Sequence, residues 1–157
     1  MAIRRRITRA ALPDSLDDFR AFIEQAAQQA GLDERMTFDL KLAVDEACTN
    51  VIEHGYAGRE PGEITVRLRA GLRRVTVTIS DHGRRFDPAA APRPDLKTSW
   101  RDRRVGGVGL HLLRSMVDKV RYRTTPDGTN HLSLVKLRPA VPKGGSTQEG
   151  DSHANHC

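Results

Sequence analysis

The sequence predicts an α+β fold, a two-layer α/β sandwich with helices on one face of a mixed, mostly antiparallel sheet. Three observations carry this. Along the 157 residues the patterns run strand, helix, helix, two strands, long loop, helix, two strands. The later strands come as neighbours joined by short turns, the signature of hairpins. Strand and helix do not alternate regularly, which argues against a Rossmann arrangement.

Residues 3–9, IRRRITR, read as a short strand. Pro13 and Asp14 suit a helix start and Gly31 its end. Between them Leu16, Phe19, Phe22, Ile23 and Ala26 recur at three and four, giving one buried stripe. Asp33 suits the cap of a second helix from Glu34 to His54. Phe38, Leu42, Val44, Ala47 and Val51 give that helix apolar flanks, so it is expected to pack between a sheet and another element. After the turn-rich GYAGREPGE, ITVRLRA and VTVTIS alternate Ile64, Val66, Leu68 and Val75, Val77, Ile79 with polar residues, an antiparallel hairpin. A long irregular stretch follows, of the kind that forms lids and binding loops. Helical spacing resumes through Val108, Leu112, Leu113, Met116 and Val117, and RYRTT, the turn PDG and TNHLSLVKL close a final hairpin. The expected domain is 1–138, with a disordered tail over 139–157.

Composition narrows the function classes. The length supports one domain. Aromatic residues are few, at 4%, so aliphatic side chains must build the core. The net charge of +6 favours anionic partners without choosing among nucleotides, acidic proteins and nucleic acid. Cys48 and Cys157 are too far apart to suggest a disulfide framework, which fits a reducing, cytoplasmic setting. The terminal HANHC has no matching ligand cluster and reads as tail rather than metal site. No apolar run approaches the ~20 residues of a membrane span, and MAIRRRITRA lacks the apolar segment of a secretory signal.

Three stretches carry chemistry. In LAVDEACTNVIEHG, Glu46, Asn50 and His54 recur at four and stack on one helix face. A carboxylate there can take a proton from an attacking hydroxyl, and an Asn carbonyl is a hard neutral ligand suited to magnesium. Alone, a solvated face explains the segment better. In ISDHGRRFDP, Asp81 ends an apolar strand and Gly83 follows in a loop. The acid can accept a hydrogen bond from an exocyclic amine, and the glycine lets backbone approach a flat base; an ordinary strand-to-loop turn also looks like this. In VGGVGLHLLRSM, Gly106, Gly107 and Gly109 lead directly into a helix, where free N–H groups and the helix dipole can cradle phosphate. No Gly-Lys-Ser/Thr follows, so it is not a Walker loop.

Taken in order, these stretches resemble the ATPase superfamily of gyrase, the heat-shock chaperone, histidine kinases and the mismatch-repair ATPase. DEACTNVIEHG resembles its N box, DHGRRF and GGVGLHLL its two glycine boxes, and DGTNHLSL the Gly-Thr before its last strand. The resemblance covers roughly residues 10–138 and implies the Bergerat-type ATP-binding fold. EACTNVIEHGY in a short chain is similar to the anti-sigma-factor serine/threonine kinases of bacteria. Arg85 departs from the pattern, standing where the first glycine box often has a second small residue; it either crowds the pocket or supplies a phosphate contact.

The resemblance implies ATP and Mg2+ as cofactors. Glu46 would be the general base and Asn50 the magnesium ligand. Asp81 would bond the adenine amino group, with Gly83 beneath the base and Thr129 supporting both. Phe86, Gly106, Gly107, Val108, Gly109 and Leu110 would line the nucleotide site. Residues 88–105 would form the ATP lid, in which Arg101, Arg103 and Arg104 are candidates to neutralise γ-phosphate charge. His54 would brace the helix end, and Asp45 and Glu53 fall off the Glu46–Asn50 line. The implied partners are a sigma factor and a STAS-type anti-anti-sigma protein, phosphorylated on Ser or Thr. A homodimer is implied too, with no direct nucleic acid and no membrane.

Three rivals were weighed. A histidine-kinase fragment needs a helical hairpin carrying a phosphorylated His, and no His precedes His54. A regulatory module that binds ATP or a sigma factor without kinase activity is the main alternative; Glu46 and Asn50, both present, argue against it. A nucleic-acid binder fits the charge, but the arginines read as dispersed between strand faces and lid, with no aromatic platform among them.

Overall fold

The computed structural model describes residues 2–85 and 113–139. Five strands form one sheet in the order β1-β2-β3-β5-β4, with β1 at Ile3–Ala10, β2 at Glu63–Ala70, β3 at Arg74–Asp81, β4 at Lys119–Thr124 and β5 at Asn130–Leu137. The expectation was mostly antiparallel pairing, and all four described pairings are antiparallel. The hairpin turns close as their residues dictate. Gly71 N–H donates to Arg74 O at 3.0 Å, and Gly128 takes φ +85°, which suits a residue without Cβ.

Helices α1 (Leu16–Gln29) and α2 (Glu34–Asn50) cover one face. Pro13–Ser15 form a tight 3-10 turn before α1. Gly31, at φ +69°, ends it. Asp33 caps α2 by accepting from Met36 N–H at 2.8 Å. Phe19, Ile23, Ala26 and Ala27 bury the α1 stripe. Helix α2 does not separate α1 from the sheet, as its two apolar flanks suggested; it packs beside α1, with α1 against β1 and β2 and α2 against β3, and buries Met36, Leu40, Ala43, Val44, Ala47 and Cys48. Its small residues let the backbone approach the strands. Phe38, expected on an apolar flank, is instead 62% exposed, because it lies about half a turn away from the Met36–Leu40 line.

The α-helix was expected to run to His54. It stops at Asn50, and Val51–Gly55 continue as a single π turn. Such turns are rare and frequently sit at functional sites. This one shifts the phase of the chain immediately after the candidate metal ligand.

The sheet has two unlike faces. Facing the helices, Ile64, Val66, Leu68, Val75, Val77, Ile79, Leu132 and Leu134 make the core. The opposite parity carries arginines and hydroxyls. The arginines expected to be dispersed are therefore concentrated: register pairs Arg4 with Arg69 and Arg6 with Arg67 on that one outer face.

Candidate nucleotide site

At one end of the core face the apolar pattern is interrupted by two polar residues in phase with it. Asp81 follows Val75, Val77 and Ile79 inward, and Asn130 precedes Leu132 and Leu134 inward. They are opposite each other in the β3–β5 register, 7% and 1% exposed. Asn130 Nδ2 donates to Asp81 Oδ1 at 3.0 Å and to Gly83 O at 2.9 Å, while its Oδ1 accepts from Thr124 Oγ1 at 2.9 Å. Gly83 N–H donates to the same Asp81 Oδ1 at 2.8 Å. Both bonds to the carboxylate fall on one oxygen. Among the described residues no hydrogen bond reaches Oδ2, and this oxygen is not sealed in the core, so the acceptor is open to a ligand donor.

The loop after β3 is locked to the end of the π turn. Arg84 N–H donates to Gly55 O at 2.7 Å. A Cβ on Gly83 would stand 2.6 Å from Gly55 O, so these two backbones touch. The need for glycine at 83 is thus explained within the chain, by its contact with Gly55. Tyr56, 8% exposed, ties the same corner: its hydroxyl donates to Glu63 O at 3.1 Å and accepts from His82 N–H at 2.9 Å. Burial raises its phenol pKa, the largest of the influences on it.

Glu46 and Asn50 stand on one line, one turn apart, in the C-terminal half of α2, and from Asn50 the π turn leads the chain to Gly55 at this corner. Asn50 is 7% exposed, and its Nδ2 is buried without a hydrogen-bond partner among the described residues. A buried amide with unused capacity is uncommon and suits a ligand position. Partial burial raises the Glu46 carboxyl pKa, with smaller pushes from the charges of Asp45 and Glu53. Asp45 is drawn off this line by Arg20, which meets its Oδ1 at 2.6 Å and joins α1 to α2. His54 is exposed in the π turn.

Thr129 sits beside the corner, but its hydroxyl pairs with His82 Nε2 at 3.0 Å; the support to Asp81 comes from its neighbour Asn130. Asn130 was missed in the sequence, although its place in phase with Leu132 and Leu134 marked it as an inward polar residue. Phe86, Arg101, Arg103, Arg104, Gly106, Gly107, Val108, Gly109 and Leu110, and the lid over 88–105, lie outside the described residues. Among the described residues no cluster of His, Cys, Asp and Glu could by itself hold a metal ion.

This arrangement sets a half-bonded acid at the end of one strand and an acid–amide pair on α2, the kinds of group that the sequence motifs single out for a nucleotide. Residues 9–136 match the model of the histidine kinase-like ATPase domain. The chain is 35% identical over 114 residues to the serine/threonine-protein kinase BtrW of Bordetella bronchiseptica, covering 73% of this chain and 80% of that one. It is 33% identical over 115 residues to the serine-protein kinase RsbW of Listeria monocytogenes, covering 71% and 73%. With RsbW of Bacillus subtilis it shares 32% over 118 residues, covering 72% and 73%. A crystal structure of the RsbU and RsbW domains of Rv1364c from Mycobacterium tuberculosis has the same fold. Its TM-score is 0.60 at 23% identity, over 88% of this chain and 34% of that longer one. The chain belongs to the histidine kinase-like ATPase family, in its branch of anti-sigma-factor kinases, and is by class an ATP-dependent protein serine/threonine kinase.

Proposed function

We propose that the chain binds Mg-ATP between the C-terminal half of α2 and the Asp81–Gly83 loop. It then transfers the γ-phosphoryl group to a Ser or Thr hydroxyl of an anti-anti-sigma protein. The observation that carries this is the buried Asp81 carboxylate, fixed at Oδ1 by Asn130 and Gly83 and open at Oδ2. An adenine amino group has the donor that Oδ2 requires. Bases without that donor would bind less well, because covering Oδ2 with them would strip its water without replacing the hydrogen bond.

Glu46 is the base. In the transfer, the attacking hydroxyl oxygen bonds to the γ-phosphorus, the bond from γ-phosphorus to the β,γ-bridging oxygen breaks, ADP leaves, and the hydroxyl proton passes to Glu46. A carboxylate whose pKa is raised by burial is a better proton acceptor than an ordinary one. Magnesium, when bound, would neutralise phosphate charge, and Asn50 is the residue placed to hold it. The fit rests on the buried, unpartnered end of its amide, since rotating the group end for end presents oxygen there. Gly106, Gly107, Val108, Gly109 and Leu110 would wrap the phosphates, Phe86 would line the pocket, Arg104 would meet γ-phosphate charge, and Thr129 would close the adenine end through His82.

The motif resemblance supplies the partners: a sigma factor that this chain would bind and hold inactive, and the anti-anti-sigma protein that competes for the same chain until phosphorylated. A homodimer in the bacterial cytoplasm belongs to the same reading. No described helix is long and apolar enough to cross a membrane.

Calorimetry with Mg-ATP tests the site. The wild type should bind, and Asp81→Asn should lose at least about tenfold in affinity, ~1.4 kcal/mol, while keeping its far-ultraviolet dichroism. Equal affinity in the two proteins would remove the adenine assignment. ATP binding without transfer of labelled phosphate to any co-purified partner would favour the non-catalytic regulatory module.

A further inference from the structure

The outer face of the sheet has no role in the nucleotide site, and the inference drawn from it does not depend on that site. Arg4 lies opposite Arg69 and Arg6 opposite Arg67 on adjacent strands. All four are exposed. Like charges directly opposed across a strand pair destabilise it, yet none of the four makes an ion pair or hydrogen bond among the described residues. They line a concavity of about 1010 Å3 together with Thr76, Thr78 and Leu72. Across the sheet Lys119, Arg121 and Arg123 extend the charge along β4, with Ser133 and His131 opposite the two arginines. By parity the single acid that the described strands place on this face is Glu63, at the end of β2. Burial lowers the His131 imidazole pKa, and the charges of Arg123 and Arg67 push it the same way.

Protection of sheet edges explains part of this, since charged residues on edge strands discourage pairing with other chains. It accounts for β1 and β4. It does not account for Arg67 and Arg69, which stand on the interior strand β2. A cluster of uncompensated guanidinium groups interleaved with hydroxyls is instead the donor set that contacts phosphodiester oxygens. A protein partner would be expected to meet a more apolar or aromatic patch core, and among the described residues the strands carry no aromatic on this face. That same lack disfavours single strands, which need stacking platforms. A second copy of the chain would bring like charge against like.

We infer that the outer face of the β1–β2–β3 sheet, centred on Arg4, Arg6, Arg67 and Arg69, is a docking surface for the phosphate backbone of duplex nucleic acid, bound without sequence preference. The contact would place the protein near DNA while leaving the nucleotide corner, on the opposite side of the sheet, free.

Fluorescence anisotropy of a labelled 25-base-pair duplex, titrated with the full chain at several salt concentrations, tests this. Four phosphate contacts give a slope of about −3.6 in log K against log salt, or roughly 150-fold weaker binding from about 50 to 200 mM. Arg6→Gln/Arg67→Gln should halve the slope to about −1.8, roughly 12-fold over the same range. Arg35→Gln/Arg59→Gln, with the same change in net charge elsewhere on the surface, should retain the wild-type slope. If the first variant melts early, Arg4→Gln/Arg69→Gln reads the same face. The inference is overturned if no duplex binds at low salt, or if the Arg35/Arg59 control loses as much. Poly-glutamate binding as tightly as duplex would overturn it in favour of an acidic protein. Sedimentation showing a dimer that the face variants dissociate would overturn it in favour of a second copy.

Discussion

Strand β5 holds two acids of the helix-facing layer by two different means. Near its C-terminal end Lys136 Nζ meets Asp39 Oδ2 at 2.8 Å and donates to Met116 O at 2.8 Å, with both side chains of the ion pair 15% exposed. At its N-terminal end Asn130 meets Asp81. The first contact matches a charge with a charge, joins α2 to the sheet, and leaves the carboxylate neutralised. The second matches a carboxylate with a neutral amide and, among the described residues, leaves one oxygen without a donor. A pair built for stability closes its chemistry, whereas a pair built for a ligand fixes the geometry and leaves capacity unused.

The largest test of this contrast is Lys136→Met. It strands the Asp39 carboxylate in a mostly buried place, and loss of one partner of a buried pair is strongly destabilising. Urea unfolding should show a loss of roughly 3–5 kcal/mol, with Mg-ATP affinity unchanged in the folded protein. A matching fall in nucleotide affinity would mean that the ion pair also shapes the site, and the division of labour would fail.

Asn130→Ala should be milder for the fold and harsher for the ligand. It removes the donor to Asp81 and Gly83 O and the acceptor for Thr124, a cost of about 1–3 kcal/mol. Because Asp81 is then held by Gly83 N–H alone, Mg-ATP affinity should fall about tenfold, ~1.4 kcal/mol. Calorimetry on the folded variant separates the two effects. Wild-type affinity in a destabilised protein would place Asn130 with Lys136, as structure only.

The same residues show how much of the molecule could be read from its sequence. Strand and helix placement followed from periodicity, because burial on one face imposes a period of two on β2 and β3 and near 3.6 on α1. Asp81 stood out as an acid closing an apolar strand. Asn130 did not, although it is in phase with Leu132 and Leu134, because its meaning depends on register: only the β3–β5 pairing puts it against Asp81. The Arg4–Arg69 and Arg6–Arg67 pairs were invisible for the same reason, since a strand shows which of its side chains share a face and never which strand lies alongside. The π turn after Asn50 carried no local signal either, because Val51 and Ile52 fit an α-helix equally well. Gly83 was singled out as room for a flat base, whereas the surface that meets it in the fold is Gly55 backbone, a contact 28 positions distant in the chain that no local pattern encodes.

Glu46 gives the smallest effect on stability and the sharpest on activity. Its folded pKa is raised, chiefly by partial burial and then by Asp45 and Glu53. Below about pH 4, near the pKa of an unfolded glutamate, the group is protonated in both states and costs the fold nothing. As pH rises toward the elevated folded pKa the unfolded chain gives up its proton first, so stability falls through that window and the full cost stands above it. Glu46→Gln removes the titration. The variant should match the wild-type melting temperature at low pH and exceed it slightly at pH 7–8; the gain stays small because the side chain is only partly buried and solvent screens it. Phosphoryl transfer should fall by about 10²–10⁴-fold, the range for loss of a positioned base, with Mg-ATP affinity retained. A variant less stable than wild type at pH 8 would mean that the carboxylate is held by favourable contacts. It would then belong with Asp39, among the groups that the fold neutralises, and the base would have to be sought elsewhere.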